Sequence, residues 1–115
     1  MKIEYPVYPV NIYIYKGISH KEFSRKLKKE SGGKVKDDFI EKLSGNGWDG
    51  IVHSTGCNIV VRFKDKKPKA DIVAHECFHM TKCIADYVGL KLSDESEEAW
   101  AYLLDDLVNK VNEAK

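Results

Sequence analysis

Hydrophobic and polar positions alternate from Val10 to Tyr15, with Val10, Ile12 and Ile14 interleaved with Asn11, Tyr13 and Tyr15. A period of two predicts a half-buried strand. The preceding Tyr5-Pro6-Val7-Tyr8-Pro9-Val10 stretch predicts an extended edge or arm, because proline has no N–H to give to a ladder. Ser19 and Glu22 form a capping-box pair that opens a helix through Phe23 and Leu27 to about Glu30. Gly32-Gly33 breaks it. Phe39, Ile40 and Leu43 predict a short second helix, stopped by Gly45-Asn46-Gly47. Residues 48–53 and 59–63 read as two strands of a hairpin, joined by Ser54-Thr55-Gly56-Cys57-Asn58. A Lys66-Lys67-Pro68-Lys69 loop follows, and two helices close the chain, over about 70–88 and about 94–113.

The order β-α-β-β-α-α predicts an α+β domain with helices against a small mixed sheet. The 115 residues make one domain, 1–115, with room for a modest core. A net charge of +1 gives no field to drive nucleic-acid or membrane binding, and the lysines read as solvated faces and turns. Met1-Lys2-Ile3-Glu4-Tyr5-Pro6 lacks the apolar run of a signal peptide, and no stretch approaches a membrane span. Cys57, Cys77 and Cys83 are an odd set at spacings unsuited to bridging. Reduced thiols in a cytoplasmic protein are the expectation.

The candidate chemistry lies in the first of the two closing helices. His75-Glu76-Cys77-Phe78-His79 is an intact H-E-x-x-H. Positions four apart stand one turn above each other, so both imidazoles share a face and can bind one Zn²⁺ per chain. Glu76 is placed to take a proton from water at the metal. The plainer alternative is a pair of helix-surface histidines around an ordinary glutamate. Ile72, Val73, Phe78, Met80, Ile84 and Val88 make the helix mostly apolar, which predicts histidines in buried surroundings that need polar partners. Cys83, one turn after His79, is a minor accessory candidate.

A third protein ligand is needed. Met80 to Asp86 holds neither histidine nor glycine, so the acidic run Asp94-Glu95-Ser96-Glu97-Glu98 is the source. Asp94 with Glu97 fits a capping box for the last helix. The apolar stripe Trp100, Leu104, Leu107, Val108 and Val111, extended backward, points at Glu97, with Glu98 to one side.

These residues resemble the gluzincin zinc peptidases. H-E-x-x-H followed by a glutamate on the next helix is that family's pattern, and 18 residues separate His79 from Glu98. Glu98-Ala99-Trp100-Ala101-Tyr102 is similar to the E-x-x-A-Y of small phage-type and bacterial relatives, and the size is similar to the minigluzincins. The resemblance covers Ile72 to Leu104 and implies a zincin-like fold with His75, His79 and Glu98 as ligands, Glu76 as general base and a peptide or protein substrate. It also implies an edge strand before the active helix that holds extended peptide, for which Asn58–Phe63 is the candidate. Tyr102 is the candidate oxyanion donor, ahead of His53 and Tyr87. Asp86 and Asp105 could orient a ligand imidazole. His20 is expected to be exposed and uninvolved. Only 17 residues follow Glu98, which keeps a second reading open: a metal-binding interaction module with little general peptidase activity.

Overall fold

The computed structural model describes residues 1–5 and 7–115. Part of the predicted N-terminal arm, Pro6, lies outside the described residues. The elements are β1 (Lys2–Glu4), β2 (Asn11–Lys16), α1 (His20–Glu30), α2 (Asp37–Glu41), β3 (Gly50–Thr55), β4 (Asn58–Phe63), α3 (Ala70–Val88) and α4 (Glu97–Glu113). The strands form one four-stranded mixed sheet in the order β1-β2-β4-β3. β2 runs parallel to β4, and β1 and β3 pair antiparallel at the two edges.

Helices cover both faces. On one, Ile12, Ile14, Ile59, Val61 and Phe63 pack against Cys77, Met80 and Ile84 of α3 and Leu103, Leu107 and Val111 of α4. On the other, Tyr13, Tyr15 and Val60 pack against Phe23, Leu27, Phe39 and Ile40 of α1 and α2. Local signals fix the ends of the elements. Ser19 Oγ accepts the Glu22 N–H at 3.1 Å and caps α1. Gly89 closes α3 in the left-handed conformation (φ 77°), and the Leu90 N–H returns to the Ala85 carbonyl at 2.8 Å. The β3–β4 turn is tighter than predicted, with Gly56 and Cys57 alone between the strands and Gly56 at φ 56°.

Three readings are corrected. Lys2–Glu4 forms a strand that the short, charged sequence did not announce. The acidic run is not helical from Asp94. Helix α4 begins at Glu97, and Ser96 Oγ bonds back to Lys91 and Ser93 instead of an Asp94 box forming. Asn58–Phe63 is no free edge either: β4 lies between β2 and β3 with every residue buried. The edge beside α3 is β3.

Arg62 on β4 is buried as well. Its charge reads as an outward residue, yet it is 5% exposed beneath α1 and α2. The guanidinium donates to the carbonyls of Leu43 (2.7 Å) and Ile18 (3.0 Å) and lies 4.3 Å over the Phe23 ring. It also meets His20 Nδ1 at 3.1 Å, so His20 is half-buried and engaged, contrary to expectation. Arg62→Ala would leave two carbonyls without donors and a void under an aromatic ring. A loss of more than about 3 kcal/mol is expected in denaturant unfolding, and Arg62→Lys should restore little because an ammonium cannot fork. An Arg62→Ala loss under about 1 kcal/mol would show that the guanidinium only fills space.

Candidate metal centre

Helix α3 buries Val73, Cys77, Met80 and Ile84, and this stripe sets its rotation. His75 and His79 lie on the opposite side and are exposed, not buried as the apolar sequence suggested. Their Nε2 atoms stand 3.2 Å apart, with ring planes at 78°. Two nitrogens about 2.0–2.1 Å from one tetrahedral ion are separated by roughly 3.3–3.4 Å. The pair is therefore spaced for a shared cation without moving either backbone.

Glu76 joins them: ligand atoms of His75, Glu76 and His79 all lie within 4.8 Å of one another. Unlike the histidines, Glu76 is 6% exposed. Desolvation raises its carboxyl pKa above the ordinary 4.5, and the nearby imidazoles His75 and His79 oppose the rise. The three side chains open into a cavity of about 340 Å³ walled by Gly50, Ile51 and Val52 of β3 and by Lys82, Cys83 and Asp86 of α3. The wall from β3 was not foreseen. A glycine opening a strand signals close backbone approach, and Gly50 carried that signal.

The remaining candidates stand elsewhere. Glu98 and Glu97 are exposed in the first turn of α4 and lie outside the His75–Glu76–His79 group. Leu107 is buried nine positions after Glu98, a rotation of about 180°, so Glu98 points away from the sheet. Tyr102 is 69% exposed and lines a different cavity with Tyr5, Val7, Tyr8 and Asp106. The rotation that buries Leu103 turns Tyr102 toward the N-terminal arm, so it does not face the histidines. Asp86 pairs with Lys82 at 2.8 Å rather than with an imidazole. His53 meets Phe39 edge-on in the α2 layer, and Tyr87 and Asp105 are exposed outside the cavity lining. Cys83 is half-buried in the cavity wall but outside the three-residue group.

Comparison of the chain with protein families, characterised proteins and solved structures gives no match. The functional reading rests on the chemistry of this cluster. Among the described residues no helix is long and apolar enough to cross a membrane.

Proposed function

We propose that the protein is a zinc-dependent peptidase of gluzincin type. The observation that carries this reading is the 3.2 Å Nε2–Nε2 spacing of His75 and His79 beside a buried carboxylate. Both imidazoles would hold one zinc ion per chain. The remaining protein ligand falls to the first turn of α4, with Glu98 preferred over Glu97. That preference rests on the 18-residue spacing from His79; Glu98 itself is turned opposite the buried Leu107 and lies outside the His75–Glu76–His79 group.

Zinc bound there would supply Lewis acidity and lower the pKa of a water in its open position. The chain's residues do the rest. Glu76 accepts a proton from the attacking water at its carboxylate and returns it to the leaving amine. The β3 edge, which forms part of the cavity wall, offers unpaired backbone groups to an extended peptide. This role passes to β3 from Asn58–Phe63.

A metal-binding interaction module is the second reading, and the position of Glu98 outside the cluster favours it. The two separate by experiment. Protein loaded with one zinc per chain should cleave an unfolded casein-type substrate, and chelation should stop cleavage while zinc restores it. Stoichiometric zinc without turnover supports the module. Failure to retain zinc sinks both readings.

A further inference from the structure

Gly50 opens β3 at the wall of the His75–Glu76–His79 cavity. Its φ is not positive, so the backbone there does not require glycine. Space does. A Cβ on Gly50 would stand 2.6 Å from Glu76 Cγ and 3.0 Å from both Cδ and Oε2. All three of its nearest neighbours belong to Glu76.

We propose that Gly50 is the positioning residue of the site, and that its missing side chain is the slot that holds the Glu76 carboxylate beside the two Nε2 atoms. The inference rests on the role of Glu76 given above. Neither backbone can give way. Gly50 pairs with Phe63 of the wholly buried β4, and the Lys64 N–H donates to the Asp49 carbonyl at 2.9 Å one residue earlier. Glu76 sits in mid-helix beside buried Cys77. The one soft partner is the Glu76 side chain, which can leave its rotamer at modest cost. A methyl at position 50 therefore evicts the carboxylate and leaves the imidazoles in place. Misplacing a reacting group by about 1 Å can lower a rate on the order of a hundredfold.

The test uses Gly50→Ala, Glu76→Ala and the double variant. Zinc affinity of Gly50→Ala, read by chelator competition, should stay within about threefold of the parent. Its kcat should fall about tenfold or more with KM little changed. Its crystal structure should show the Glu76 carboxylate moved off the β3 wall. Any drop in melting temperature caused by Gly50→Ala should vanish in the Glu76→Ala background, because the clash partner is gone. An equal drop in both backgrounds, or an unmoved Glu76 carboxylate, overturns the proposal. The structural and melting readouts do not need activity. A parent protein that cleaves nothing sinks the peptidase reading, while Glu76 displacement in Gly50→Ala still decides the role of Gly50.

Discussion

Glu76→Gln is expected to lower peptide hydrolysis about a thousandfold and leave zinc bound near one per chain. The amide keeps the shape of the side chain but cannot accept a proton, and general base catalysis is worth roughly 10²–10⁴ in rate. The same substitution should stabilise the metal-free protein at neutral pH. Burial raises the Glu76 pKa above the unfolded value near 4.5, so the folded state binds this proton more tightly than the unfolded chain. The resulting stability is complete below the unfolded pKa and is lost as pH rises through the folded one. Chemical unfolding in chelator from pH 4 to 7.5 should show that loss in the parent and a smaller one in Glu76→Gln. Loss of zinc from Glu76→Gln, as complete as from His75→Ala, would make Glu76 a ligand and overturn its role as base.

Much of this site is written in contiguous residues, and those parts were legible. Helical spacing alone brings His75 to His79, and the Nε2 contact is a local consequence of α3. The Ser19 cap and Gly89 stop were readable for the same reason. What escaped depends on how elements pack. The apolar stripe of α3 said that one face is buried, but not that the histidines lie opposite it. Arg62 looked like a solvent marker because charge is normally outside. Only α1 and α2, folding over that face of the sheet, supply the carbonyls and ring that make its burial tolerable. β4 is central because β2 pairs parallel with one side of it and β3 antiparallel with the other, which leaves the edge beside α3 to β3. The wall of the cavity then follows from strand order, which no local pattern encodes. Likewise, the start of α4 was misread because Asp94 fits a capping box with Glu97, whereas the helix begins at Glu97 and Ser96 Oγ is engaged by Ser93 and Lys91.

The ligand set gives the second large effect. His75→Ala or His79→Ala should each weaken zinc binding by more than about a hundredfold. A four-ligand zinc site of about 10–16 kcal/mol loses roughly 3 kcal/mol with one donor, and about 1.4 kcal/mol is a factor of ten. Metal that binds only the folded chain also raises stability, so chelation should lower the melting temperature of the parent and leave His75→Ala unchanged. The α4 acids then identify the third donor. Glu97 and Glu98 project about 100° apart, so one carboxylate at most can point at the ion. The 18-residue spacing from His79 is what favours Glu98, which is turned opposite the buried Leu107 and lies outside the His75–Glu76–His79 group. Glu98→Gln should therefore weaken zinc about tenfold or more, and Glu97→Gln should change it little, as an exposed first-turn acid acts through the helix dipole for only about 0.3–1 kcal/mol. The reverse ranking, measured against a competing chelator, would assign the donor to Glu97 and show that the apolar stripe of α4 outweighs the spacing from His79. Small, equal effects from both would leave the ion on His75 and His79 with no donor from α4, the ligand set of a binding module rather than of a gluzincin.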